Sequence, residues 1–306
     1  MQTLAATAAL ALLITGSPAS DLTRHEFESP QMGTLFKVIL YAPDADSAKS
    51  AADAAFELAG KLNASFSDYE ADSELRQLVA KGEATVSLEL FDILTVAKKI
   101  SDATDGAFDV TTGAHSRNWR KAKITGELPS KEQLRIAKTA SGWKKLILDQ
   151  ETRQVTLPPG MQLDLGGIAK GYAADAMRAL LKKNGYPIAS IAAGGDIAVG
   201  DPPPGREGWR IAIAQDGLQQ ELTVELANQA VSTSGKAEQR ITITGKTYSH
   251  IVDPKTGLGL EGSIPVSVIA KSAIQTDAFA TAFNVLGREK SAPIAAKLSL
   301  RIIWGE

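Results

Sequence analysis

From residue 145 onward the chain reads as short β-rich runs, with helical spacing in only three stretches. The runs cover residues 145–148, 154–157, 161–165, 188–192, 209–214, 222–225, 230–232, 240–243 and 264–269. The helical stretches cover 168–185, 277–286 and 291–298. Strands in this order cannot be the regular βαβ alternation of a parallel doubly wound sheet. The pattern predicts an α+β fold with mixed or antiparallel sheets flanked by helices.

The first half adds a strand at 36–41 and a helix within 44–63, where Ala52, Ala55, Phe56, Ala59 and Leu62 share one face. A second helix is predicted at 88–104, with Leu90, Ile93, Leu94, Ala97 and Ile100 at helical spacing. Ser130-Lys131-Glu132-Gln133 has the form of a capping box opening a third.

The 306 residues contain no cysteine. Disulfides, thiolate metal sites, a cysteine nucleophile and a lipoprotein anchor are therefore excluded. A chain of this size with 44% apolar residues can bury its own core without them. Net charge is −2 and no run of Lys or Arg occurs, which argues against a nucleic-acid binder. Residues 4–14 form an apolar run too short to span a bilayer, followed by Gly16-Ser17-Pro18-Ala19-Ser20. Residues 1–20 read as a signal peptide, although no cationic residue precedes Arg24. The expectation is an exported, periplasmic or outer-face membrane-associated protein with no transmembrane segment in the mature chain. Residues 21–306 would form a single domain, or two tightly packed subdomains.

Five segments carry candidate chemistry. In Leu163-Asp164-Leu165-Gly166-Gly167-Ile168-Ala169-Lys170-Gly171 a strand delivers a carboxylate, two glycines admit close approach, and a helix opens with a lysine in its first turn. A helix N-terminus with free amides suits phosphate, but glycines that only permit tight packing would look the same. Gly194-Gly195-Asp196 is a second glycine turn. His250, before Asp253-Pro254, has the pKa of a general base; a surface or core histidine is the alternative. Asp277 and Thr281 lie one helical turn apart and offer hard oxygens suited to Mg²⁺. Equally, Asp277 could favour a helix dipole and Thr281 could bond back to its own turn. Tyr69 and Phe108 could lie against a flat ring, with Asp109 at its polar edge, or be ordinary packing and loop residues.

Together these segments resemble the ApbE family of FAD:protein FMN transferases. The resemblance runs through Met32-Gly33-Thr34, 69–75, 106–111, 163–172, Gly194-Gly195-Asp196, Thr233-Ser234-Gly235, 249–254 and 277–281, in the family's order. It implies the family's architecture, related to the T-fold, and an enzyme that cleaves FAD at its pyrophosphate. FMN would pass to a threonine hydroxyl of a target flavoprotein, linked to membrane electron transfer, with release of AMP. It also implies FAD contacts at Met32, Tyr69, Ala107, Phe108, Asp109, Asp164, Lys170 and Ile251. By the same resemblance Asp277, Thr281 and the carbonyl near Gly167 would hold Mg²⁺, with Asp277 essential to turnover, and His250 would act as base. Hydrolysis of FAD to FMN and AMP, or FAD binding without catalysis, are the alternatives. The chain departs from the family at Ala114-His115-Ser116-Arg117-Asn118-Trp119, where Pro-Leu is usual, and at Lys236-Ala237-Glu238. It also stops at Trp304-Gly305-Glu306, which leaves only a short terminal strand.

Overall fold

The computed structural model describes residues 22–213, 222–235 and 240–305. The expected signal peptide, Ala214, the Lys236-Ala237-Glu238 departure and Glu306 lie outside those residues.

The chain opens with β1 (Thr23–Gln31) and β2 (Thr34–Ala42), joined by the two-residue turn Met32-Gly33. Both turn residues have positive φ, 48° and 72°, as a type I′ hairpin turn requires. Along β2, Phe36, Val38, Leu40 and Ala42 are buried on one face, while Ile39 and Tyr41 meet a second cluster on the other. Helices α1 (Ala45–Phe66) and α2 (Glu74–Lys81), β3 (Glu83–Thr85) and α3 (Leu88–Ala103) follow. Next come α4 (Gly113–Thr125), α5 (Lys131–Ala140), β4 (Ile147–Leu148) and β5 (Gln154–Thr156). Then α6 (Ala169–Lys183), β6 (Ala189–Ala193), β7 (Asp196–Val199), β8 (Trp209–Ile213) and β9 (Leu222–Leu226). The last third holds β10 (Ala230–Ser234), β11 (Ile241–Ile243), β12 (Lys246–Val252) and β13 (Gly259–Glu261). It closes with β14 (Val266–Ala270), α7 (Ala273–Leu298) and β15 (Arg301–Trp304).

The main sheet has seven strands in the order β1-β2-β6-β7-β10-β14-β15, every neighbour antiparallel. Helices α1, α6 and α7 cover one face and enclose the largest core cluster. The β8–β9 hairpin brings Trp209, Ile213, Val224 and Leu226 against the other face. A smaller sheet, β11-β12-β13, packs Tyr248 on Trp119 of α4, ring centroids 5.3 Å apart. The fold is α+β with antiparallel sheets, as the strand order predicts. No helix among the described residues is long and apolar enough to cross a membrane.

Several local expectations are corrected. Residues 161–165 make only a single bridge, Thr112 to Gln162. Their backbone is spent on the loop before α4, through Gly113 N–H to Gln162 O and Asp164 N–H to Val110 O. Trp143–Lys145 is a turn of 3-10 helix, so the strand there shrinks to β4. The two helices expected at 277–286 and 291–298 are present, separated by the non-helical Gly287 at φ 75° within α7, and the first starts earlier than expected, at Ala273. His115, in the stretch that departs from the family, lies within α4 and is buried. The capping box forms as predicted: Ser130 Oγ accepts the Gln133 N–H, and Gln133 Oε1 accepts the Ser130 N–H.

Candidate active site

The site grows from the contact between α6 and α7. The N-cap of α6 is Ile168, whose side chain cannot cap anything. Instead Oδ2 of Asp277, on α7, accepts the Gly171 N–H at 3.1 Å. The exchange is mutual: Oδ2 of Asp175, on α6, accepts the Ile274 N–H in the first turn of α7 at 2.9 Å. Glycine at 171 permits this approach, because a Cβ there would lie 2.3 Å from the Ala273 carbonyl oxygen.

Lys170 sits where these elements meet. Its Nζ is 3.0 Å from Asp196 Oδ2, at the start of β7, and 3.6 Å from Asp277 Oδ2. Burial opposes the lysine's charge, yet the Asp277 and Asp196 carboxylates outweigh it and hold its pKa above the ordinary value. Asp277 is pushed well above the usual carboxylate range, by burial first and then by Asp196, with Lys170 and the Gly171 N–H pulling the other way. One half-buried cation faces two buried carboxylates.

Thr281 follows Asp277 by one turn of α7. Most helical threonines here return their hydroxyl to the carbonyl four residues back, as Thr95 does to Phe91 and Thr139 to Arg135. Thr281 makes no hydrogen bond among the described residues, which removes the back-bonding alternative. Its Oγ1 instead lies 3.1 Å from where a Cβ on Gly167 would stand, and Phe108 Cε2 lies 3.3 Å from that point. Asp277, Thr281, Lys170, Gly167 and Phe108 therefore occupy one place. The donors are hard oxygens: two carboxylates, a free hydroxyl and an adjacent glycine turn. No cluster of three or more His, Cys, Asp or Glu able to hold a metal occurs among the described residues. A Mg²⁺ ion nevertheless fits, since it needs only one or two carboxylates when phosphate oxygens and water complete its shell.

His250 lies within β12, the central strand of its small sheet, rather than at a strand end. Its Nδ1 is buried without a hydrogen-bond partner among the described residues. Burial, then the charges of Lys123 and Lys170, push its pKa down to about 4. It is neutral at physiological pH and lies in the field of Lys170. Ile251 beside it is buried, its N–H donated to Ser249 Oγ.

The remaining candidates are arranged around this centre. Oδ1 of Asp164 accepts the Gly166 N–H at 2.8 Å and so shapes the glycine turn. Its Oδ2 meets Arg120, which lies over the ring of Tyr69. Met32 turns the β1–β2 hairpin two residues before Thr34, which lies against Gly194 beside Asp196. Ala107 is buried. Asp109 is buried with both oxygens engaged, Oδ1 by the Thr111 N–H and hydroxyl and Oδ2 by the Trp143 N–H. The sequence assigns no individual role to Asp68, Arg120 or the Asp196 carboxylate, although Gly194-Gly195-Asp196 is among its candidate segments. Asp196 carries a signal, a carboxylate directly after a glycine pair, as Asp164 precedes one with only Leu165 between.

A half-buried lysine thus lies between two buried carboxylates, where two mutually capped helices meet a glycine turn above an antiparallel sheet. The chain belongs to the ApbE family, which it matches over residues 32–304. It is 29% identical to the FAD:protein FMN transferase of Salmonella typhimurium over 303 residues, covering 94% of this chain and 85% of that one. It is 30% identical to the FAD:protein FMN transferase of Chlamydia muridarum over 278 residues, covering 87% and 85%. Among solved structures, the apo flavinyl transferase ApbE of Pseudomonas stutzeri superposes with a TM-score of 0.83 at 26% identity, covering 94% of this chain and 92% of that one. The flavin transferase ApbE of Vibrio cholerae gives 0.83 at 25% identity, covering 92% and 93%.

Proposed function

We propose that this protein transfers FMN from FAD to a threonine hydroxyl of a target flavoprotein, releasing AMP, with Mg²⁺ held by Asp277, Thr281 and the Gly167 carbonyl. The observation that carries the reading is the Thr281 hydroxyl, without a hydrogen bond among the described residues, beside Gly167 and one turn from Asp277, whose buried carboxylate meets the half-buried Lys170. Family membership and relatives named FAD:protein FMN transferase support it.

In this reading the acceptor's hydroxyl oxygen attacks the phosphorus of the FMN half. The new P–O bond forms as the bond to the bridging oxygen breaks, and AMP leaves with that oxygen. His250 takes the hydroxyl proton; it is already neutral and its Nδ1 has no competing partner among the described residues. Lys170 places fixed positive charge where the phosphates lie, and the α6 amides lie close behind it. Bound Mg²⁺ would lend further charge to the phosphate oxygens as they become more negative. Binding the anionic pyrophosphate near Lys170 would also relieve the positive field that depresses His250. Tyr69 and Phe108 supply flat apolar surface for the rings. The acceptor would be a membrane-linked electron-transfer protein met outside the cytoplasm, with residues 1–20 serving as the export signal.

The test is AMP release from FAD, followed with and without Mg²⁺ and with and without an acceptor domain. Release that requires both supports transfer. Release with free FMN in the absence of acceptor would make the chain a hydrolase, and bound but intact FAD would make it a carrier.

A further inference from the structure

Arg120 links the two ends of the site. Its Nη2 lies 2.5 Å from Asp68 Oδ2 and 3.2 Å from Asp164 Oδ2, and its guanidinium carbon stands 4.4 Å from the centroid of the Tyr69 ring. Asp164 in turn pins the Gly166 N–H. One side chain therefore fixes both the glycine turn beside Thr281 and an aromatic ring that is itself 77% exposed. Both carboxylates are taken by the same nitrogen; Nη1 and Nε make no hydrogen bond among the described residues. A pair of carboxylates sharing one partly buried nitrogen is weak support for stability alone, since desolvation offsets much of the attraction. An exposed tyrosine held under a cation is likewise not a packing arrangement.

We propose that Arg120 is a positioning and specificity residue for a flat heterocycle of the dinucleotide. It holds Asp164 and thereby the glycine turn, it holds Tyr69 as a stacking surface, and it offers Nη1 and Nε to acceptor atoms on the ring's edge. Lysine cannot do this: it lacks the planar fork that stacks and donates in two directions. The proposal rests on FAD being the ligand. Either ring of FAD carries acceptors, so the heterocycle is the flavin or the adenine.

The experiment measures FAD affinity, KM and kcat for the wild type, Arg120→Lys, Arg120→Met and Tyr69→Leu, with competition by FMN and by ADP. Arg120→Met and Tyr69→Leu should weaken FAD binding and raise KM about tenfold while kcat stays within about threefold. Arg120→Lys should regain the wild-type melting temperature without regaining affinity. Arg120→Met should weaken one competitor, FMN or ADP, and spare the other, which names the ring. Unchanged FAD affinity in a folded Arg120→Met protein overturns the inference, as does full rescue by lysine or an equal loss for both competitors. Failure of the wild type to bind FAD at all would instead overturn the functional reading.

Discussion

The Gly171 N–H donates to Asp277 across 3.1 Å, so the proposed metal ligand is also the N-terminal cap of the neighbouring helix. Asp175 returns the favour to α7 through Ile274. Carboxylates at helix N-termini satisfy otherwise orphaned amides and favour the dipole. Position and chemistry are thus coupled: the contact that holds α6 against α7 also fixes where Asp277 points.

Gly171→Ala tests that contact. Its Cβ would meet the Ala273 carbonyl oxygen at 2.3 Å and Asp277 Cβ at 2.9 Å, and neither can move without parting the helices. We expect a loss of about 3 kcal/mol, seen as a lower melting temperature, with FAD affinity lost in parallel. An unchanged melting temperature would contradict the packing described.

The two roles of Asp277 separate by substitution. Asp277→Asn keeps an oxygen for the Gly171 N–H but loses the charge, whereas Asp277→Ala loses both. Both should lower Mg²⁺-dependent turnover at least about 100-fold. Only Ala should also cost about 1 kcal/mol of stability through the cap. Asp175→Ala should lower stability by a similar amount and leave kcat near wild type, as steady-state assays and urea melts can establish.

Acid sensitivity follows from His250. Its pKa falls from an ordinary 6.5 to about 4 on folding, by burial and then by Lys123 and Lys170. Between those values the unfolded chain binds the proton and the folded chain does not, so stability is fully present above about pH 6.5 and is lost as pH falls toward 4. The slope approaches about 1.4 kcal/mol per pH unit for one such group. Urea denaturation of His250→Gln at pH 7, 6 and 5 should show a shallower dependence; an identical profile would count against the shift.

His115 is buried in α4 with neither ring nitrogen hydrogen-bonded among the described residues, and a Cβ on Gly257 would lie 2.2 Å from its Nδ1. Burial, then Lys138, lowers its pKa, while Asp253 opposes them. An unsatisfied buried polar group costs about 1–3 kcal/mol. His115→Leu should therefore match or exceed wild-type stability. A large loss would reveal a partner for the imidazole.

Much of this was legible in the sequence where residue type and local geometry coincide. The apolar spacing of residues 52–62 and 90–100 gave α1 and α3, and the Ser130 capping box gave α5. Asp277 and Thr281 were readable as a pair because helical spacing alone sets them on one face. The glycine turn before Lys170 was readable because only glycine suits so close an approach. What the sequence hid depends on contacts distant along the chain. Arg120 meets Asp164 across 44 residues and Asp68 across 52. Asp277 caps a helix that begins more than 100 residues earlier. Residues 161–165 looked like a strand because they are apolar and β-prone, but their backbone groups are used by the loop before α4.

The most direct measurement is the intact mass of an acceptor domain incubated with this protein, FAD and Mg²⁺, beside a copy whose acceptor threonine is alanine. The account predicts one added FMN on the threonine form, none on the alanine form, and none when Asp277→Asn replaces the wild type. An unmodified threonine acceptor alongside free FMN and AMP, or full modification by Asp277→Asn, would contradict it.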